Sequence, residues 1–333
     1  MFNYNDFSAF PSSPATRFEL NKQAILIAKR LGESEASDSE RRILAQYSGW
    51  GDTQVRKRGF DWAGDPIDPE LAEVLTKEET RAIAKSALNA HYTGLDVVRS
   101  MWQMAERLLP CCRNVSYSGN DRGSGHIEGR AEQLSKAVAH AVNPWILEPS
   151  CGSGVFFGTL PQSLYHSRLV GIELDPLTAL ITQKLYPEAD IKACGLEQAN
   201  LPLGSFDLII GNVPFGNYAV NDPSLRFSFL KASIHDYFIA KSVTLLKPNG
   251  HAILITSRYT LDKQDSSVRE WVSKHAELVL AVRLPETAFQ QSAGTDVVTD
   301  ILVLRKRAEP ITKPDDWVAT VEKEGDGGRA NVS

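Results

Sequence analysis

From Asn143 onward the chain repeats one pattern: a short apolar run, a loop of small or acidic residues, then a stretch at helical spacing. The runs are "WILEPS", "RLVGIELD", "DIKACGLE", "FDLIIGN", "HAILITSR", "LVLAVRLP" and "DILVLRKR". Strands that are apolar on both faces belong inside a sheet covered on both sides. Intervening helices such as "PLTALITQKLYP" and "FLKASIHDYFIAKSVTLLKP" supply the crossovers that parallel pairing needs. Between the last two runs no long helix intervenes, so an antiparallel final strand closes the sheet. The expected fold class is α/β, a doubly wound, mostly parallel, seven-stranded Rossmann-like sheet with an N-terminal helical region over residues 1–89. Ligands of such a sheet lie beyond the carboxyl ends of its strands.

The flanks read differently. "RFELNKQAILIAKRLG" stops at Gly32, "DSERRILAQYSGWG" offers Asp38 as a cap, and two further helical patterns in "LTKEETRAIAKSALNAHYTGLDVVRSMWQMAERLL" are interrupted at "HYTG". Residues 110–143 read as a surface excursion rich in Gly, Ser, Asn and charge, and residues 309–333 as a polar tail. A net charge of -5 argues against a protein that coats nucleic acid throughout, although "VRKRGF" and "LRKR" are local basic runs. With four cysteines and no zinc-ligand spacing, neither a disulfide framework nor a metal site is expected. No apolar run approaches the roughly 20 residues of a membrane span, and the N-terminus lacks signal-peptide character. A reducing, cytoplasmic setting without a membrane partner is expected.

At four strand ends the loops carry chemistry. "LEPSCGSGVF" removes side chains at Gly152 and Gly154 where backbone approaches a ligand, although alone it serves equally as a turn. Glu173 in "GIELDP" stands about 20 residues on, where an acid accepts ribose hydroxyls, while Asp175 before Pro176 reads as a helix cap. In "CGLEQ", Leu196 packs on an adenine ring and Glu197 accepts its amine. "GNVPFG" offers the Asn212 side-chain carbonyl and the backbone carbonyl of Val213 as a pair of acceptors for an exocyclic amine. Pro214 restrains Val213, and Phe215 presents a face for a flipped base. Valine supplies that carbonyl as well as proline does, so Val213→Pro is expected to leave activity within a modest factor and Asn212→Ala to abolish it. His235, alone on a helical stretch, reads as structural.

"EPSCGSGVF", "GIELDP" and "GNVPFG", in this order, resemble the signature loops of class I S-adenosylmethionine-dependent methyltransferases that methylate amino groups. "AHYTGLDVVRSMW", upstream of the glycine loop, resembles the cofactor-carboxylate motif of adenine-N6 DNA methyltransferases of the gamma motif order. Together with "YSGWG", "SIHDYF", "ITSRYTLD" and "RLPETAF", these stretches resemble the methylase portion of phage and plasmid methylase-helicase proteins over most of residues 40–307.

The resemblance implies a methyltransferase domain over 90–308 that uses S-adenosyl-L-methionine to methylate adenine N6 in DNA, duplex or single-stranded. It places Tyr92 and Thr93 at the methionyl carboxylate, and Glu148, Pro149, Cys151, Gly152 and Gly154 around the amino-acid end of the cofactor. Glu173 then takes the ribose, Leu196 and Glu197 the adenine, and Asn212, Val213, Pro214 and Phe215 the target base, with Asn212 also against the cofactor. Only about 26 residues follow the last strand, too few for a separate recognition domain, so either the chain is part of something longer, with a recognition or helicase module or subunit, or the helical entry region and a partner supply the DNA contacts. Two alternatives stand beside this: a noncatalytic subunit of an anti-restriction or DNA-modification assembly, and a methyltransferase of RNA or of a protein amide. The "HYTG" element favours DNA over the latter.

Overall fold

The computed structural model describes residues 2–4, 11, 13–86, 93–109, 143–222, 233–285, 298–322 and 329–331. Tyr92 and nearly all of the 110–143 excursion lie outside the described residues.

Among the described residues six helices precede the sheet. α1 (Pro14–Leu31) begins on a proline whose missing N–H is one the first turn would leave unpaired, and ends at Gly32 with φ 53°. α2 (Asp38–Leu44) is capped by Ser37, one residue before the expected Asp38, because Glu40 completes a reciprocal capping box with it. α3 (Thr53–Gly59) and α4 (Pro69–Val74) start on the carboxylates of Asp52 and Asp68, which accept from the first free N–H groups. α5 (Lys77–Ser86) and α6 (Leu95–Leu108) follow.

All seven expected apolar runs are strands: β1 (Trp145–Glu148), β2 (Arg168–Glu173), β3 (Asp190–Ala193), β4 (Phe206–Asn212), β5 (Leu246–Ser257), β6 (Ala276–Arg283) and β7 (Thr299–Lys306). They form one sheet in the order β3-β2-β1-β4-β5-β7-β6. β1 through β5 pair in parallel, and β7 inserts antiparallel between β5 and β6. Between strands lie α7 (Val155–Gly158), α8 (Pro176–Leu185), α9 (Ile234–Leu245), α10 (Tyr259–Asp262) and α11 (Ser267–His275). No helix joins β3 to β4; turns suffice there. Among the described residues no helix is long and apolar enough to cross a membrane.

Strand residues alternate between two cores, as the two-residue period of a pleated strand requires. Ile146, Leu208, Ile210, Ile253 and Ile255 face one side, with Ile25, Leu44, Trp50 and Trp102 of the N-terminal segments. Leu147, Ile209 and Leu254 face the other, with Ile239 and Val243 of α9 and Val268 and Val272 of α11. The N-terminal helices are therefore the cover of one sheet face. After β7, Trp317 and Val318 join the second core, and buried Arg269 donates from Nε to the Val318 carbonyl at 2.9 Å. Beyond them β8 (Thr320–Glu322) pairs with β9 (Arg329–Asn331).

Candidate active site

A cavity of about 500 Å³ opens at the carboxyl ends of β1, β2, β3 and β4. Thr93, Glu148, Pro149, Cys151, Gly152, Glu173, Leu196, Glu197, Asn212, Val213 and Pro214 all contribute to its lining, so residues from five separate stretches meet there.

The glycine loop is held from below. The N–H of Cys151 donates to the Ile172 carbonyl at 2.8 Å, and that of Gly154 to the Cys151 carbonyl at 2.8 Å. Gly152 has φ 51°, and a Cβ there would meet nothing within 4 Å, so its bare backbone borders open space. Gly154, at φ 75°, answers a different need. A Cβ would lie 2.4 Å from Tyr186 Cε2, and the residue stands outside the cavity lining, against α8 and Tyr186. α7 is one turn long, so the loop meets the cavity through its own backbone and not through an extended helix terminus. Cys151 is buried, which raises its thiol above the usual range.

Two acids face the cavity. Glu148 is 2% exposed, and its Oε2 is buried with no hydrogen-bond partner among the described residues. Burial first, and then the nearby Glu173, hold its carboxyl well above the ordinary range. Gly211 makes room for it, since a Cβ there would come within 3.3 Å of Glu148 Cγ. Half-buried Glu173 is oriented by two backbone donors, Gly152 N–H at 2.9 Å and Asp175 N–H at 2.8 Å. Desolvation outweighs those bonds and pushes its pKa up to about 7. Asp175 caps α8, accepting from Leu177 N–H and the Thr178 hydroxyl. At the end of β3 the Glu197 carboxylate folds over Gly195, where a Cβ would sit 2.2 Å from Oε1.

The Asn212 loop is tied to its neighbours. Asn212 pairs in register with Ile255, and its backbone carbonyl accepts from the Ser150 hydroxyl at 2.7 Å, which joins this loop to the glycine loop. Val213 is buried, and its N–H donates to the Ile255 carbonyl at 3.1 Å. A proline has no such donor. Val213→Pro is therefore expected to lose about 1 kcal/mol of stability while keeping turnover within a few-fold, read from denaturation midpoints beside initial rates. Phe215 is half-buried, packs against both cores and stands outside the cavity lining, whereas Tyr218, 47% exposed, is part of it. Gly216 admits that ring: a Cβ would lie 2.6 Å from Tyr218 Cε1. Residues 218–221 line the cavity, and Asp222, next in the chain, is buried. Asp222 accepts from Tyr237 Oη and Lys241 Nζ of α9, both at 2.7 Å.

Sequence reasoning did not place Tyr47, Trp50 or Tyr218 in this lining. Tyr47 and Trp50 arrive through Asn21 of α1, whose buried amide donates to the Gly49 carbonyl at 2.6 Å and accepts from Ser48 N–H at 2.8 Å. That long-range clamp has no local signal beyond the small-and-aromatic character of "YSGWG". His235, read as structural, is buried with Nε2 at 2.8 Å from the Ser233 hydroxyl and is not part of the lining.

This strand order, with the cavity at the carboxyl ends, is the arrangement of the class I S-adenosylmethionine-dependent methyltransferase fold. Within that class it resembles methylases of restriction-modification systems: residues 166–289 match the Eco57I restriction-modification methylase family. Defense against restriction protein B of Escherichia phage P1 is 30% identical over 164 residues, 48% of this chain and 7% of that protein. The rRNA N(6)-adenosine-methyltransferase metl-5 of Caenorhabditis elegans is 23% identical over 172 residues, 48% of this chain and 75% of that protein. Among solved structures, the Type ISP restriction-modification enzyme LlaBIII is 12% identical at a TM-score of 0.49, over 90% of this chain and 25% of that one. The M protein of the Type I restriction enzyme EcoKI is 15% identical at a TM-score of 0.46, over 90% of this chain and 63% of that one.

Proposed function

We propose that the protein methylates the exocyclic N6 amine of adenine in DNA. The observation that carries this is a shared wall: Asn212, Val213 and Pro214 line the same cavity as Glu148, Gly152 and Glu173. An acceptor pair for an amine therefore borders the residues suited to the cofactor.

The fit to the cofactor rests on the donor set. Glu148 Oε2, buried without a partner among the described residues, suits an ammonium, and the bare backbone at Gly152 leaves room beside it. Glu173 suits a pair of hydroxyls, Thr93 a carboxylate, and Leu196 with Glu197 an adenine. When bound, the cofactor supplies an electrophilic methyl group and a neutral leaving group. The chain's own part is to accept the two amine hydrogens on the Asn212 side chain and the Val213 carbonyl. That favours the pyramidal nitrogen of the transition state over the planar one of the free base. The Ser150 and Ile255 bonds hold those acceptors before substrate arrives. A duplex base reaches them only by flipping, which costs a few kcal/mol that aromatic stacking offsets.

Glu173 makes cofactor affinity depend on pH. Its pKa of about 7 leaves the carboxyl partly protonated near neutrality, and two donating hydroxyls require the ionised form. Affinity therefore falls as pH drops, roughly eightfold between about pH 7.5 and about pH 6, and levels off above. Titration calorimetry across that range tests this, and Glu173→Gln should bind weakly with a flat profile.

The reaction is tested by incubating the protein with labelled cofactor and, separately, duplex DNA, single-stranded DNA and RNA, then digesting to nucleosides. Label in N6-methyldeoxyadenosine supports the proposal. Label only in RNA moves the substrate to the class named for the metl-5 relative. Cofactor binding with no transfer to any substrate supports a noncatalytic subunit in an anti-restriction or modification assembly; the phage P1 relative is named for defense against restriction.

A further inference from the structure

We infer that the strip formed by the last turn of α3, the turn at 61–65 and the exposed side of α5 is the track on which DNA phosphates and an unpaired base lie beside the cavity mouth. This rests on the reading of DNA as substrate. α3 ends in Arg56, Lys57 and Arg58, with Val55 and Gly59 buried beneath, so Lys57 and Arg58 stand in solvent. Among the described residues neither these three nor Arg81 and Lys85 of α5 make an ion pair.

The turn that follows is well braced. Phe60 is buried and bridges Pro66, Ile67 N–H donates to the Gly59 carbonyl at 2.7 Å, and Asp61 N–H to the Asp65 carbonyl at 2.9 Å. At its tip Trp62 is 98% exposed. Gly64, at φ 91°, seats the turn on α5, where a Cβ would lie 3.3 Å from Ala84 Cβ. A cleft of about 170 Å³ lies between Arg56, Phe60, Trp62, Ile83 and Ala84, and Lys85, next along α5, lines the large cavity. The cleft and the large cavity thus meet at neighbouring residues of α5, Ala84 in one and Lys85 in the other.

The indole stands exposed beside Arg56, Lys57 and Arg58, and an aromatic face next to cations suits a ligand with both a π-face and negative charge. Single-stranded nucleic acid has both. Nearby acids are largely engaged: Asp68 and Glu70 pair with Lys22, and Glu79 with Lys29. Asp61 and Asp65 remain on the turn, where Asp61 Oδ1 accepts the Asp65 N–H, and Glu78 stands exposed on α5, so three acids face the five cations of the strip. A strand whose target base enters the cavity has to lay its flanking nucleotides on adjoining surface, and this is adjoining surface of the right charge.

The test is fluorescence anisotropy of the full chain with labelled single-stranded DNA, duplex DNA and RNA of one sequence, titrated with KCl. Replacing Arg56, Lys57 and Arg58 together by Gln should weaken DNA binding and reduce the slope of log K against log salt by about 2 to 3, since each phosphate contact contributes roughly 0.7–0.9. Trp62→Ala should weaken single-stranded binding about tenfold, with Trp62→Phe restoring most of it. Cofactor affinity should stay unchanged in all three variants, which excludes misfolding. If wild type binds DNA and the variants match it in affinity and salt slope, the track is wrong and the DNA reading stands. If wild type binds no DNA, or RNA alone, the DNA reading fails and the track with it.

Discussion

Asn212→Ala should lower methyl transfer by on the order of 10³, below detection in an endpoint assay, while cofactor affinity changes a few-fold at most. The asymmetry follows from where the side chain sits. Asn212 is the last residue of β4, held by its register with Ile255 and by the Ser150 hydroxyl on its backbone carbonyl. Alanine keeps both backbone anchors while the side-chain acceptor is lost. An effect confined to kcat, with KM and thermal stability near wild type, identifies a group that acts in the transition state. A variant that transfers methyl groups at more than about a tenth of the wild-type rate would remove Asn212 from the chemistry.

Lys241→Met should cost roughly 3–5 kcal/mol of stability, because it leaves the Asp222 carboxylate buried with its cation gone. The two side chains are 5% and 2% exposed and 2.7 Å apart. Among the described residues the Tyr237 hydroxyl, a neutral donor, stays on that carboxylate. Urea denaturation measures the loss directly. A companion double variant, Asp222→Asn with Lys241→Met, removes both charges and should recover much of it. Since Asp222 anchors the segment carrying Tyr218, any stability that remains unrecovered should come with weaker substrate binding before any change in cofactor binding.

Both predictions draw on features that differ in how plainly they can be read from sequence. The seven strands were legible because each is a short apolar run between loops; the inner five are buried on both faces, whereas β3 and β6 lie at the sheet edges and are partly exposed. The strand-end residues were legible for a related reason, since a doubly wound sheet gathers the loops after its strands at one edge whatever their sequence separation. Orientation within a loop was not. "VPFGNY" contains two aromatics, and nothing local says that Phe215 turns toward both cores while Tyr218 lies over Gly216 on the cavity wall. Tyr47 and Trp50 were illegible on other grounds. Their place depends on Asn21, more than 25 residues away, whose side chain holds a loop it does not adjoin in sequence. Nor does a glutamate disclose its own burial. Glu148 and Glu173 look like ordinary strand-end acids until the sheet encloses them.

The strand order also bears on how the protein is made. β7 is the last strand of the sheet to be synthesised, yet it lies inside, between β5 and β6. Until residues 299–306 leave the ribosome, β5 holds an open edge with its apolar row of Ile253, Leu254 and Ile255 unpaired on that side. Such an edge can recruit strands from other chains. A truncation before Thr299 should therefore yield aggregates in place of a smaller soluble domain, as light scattering would report.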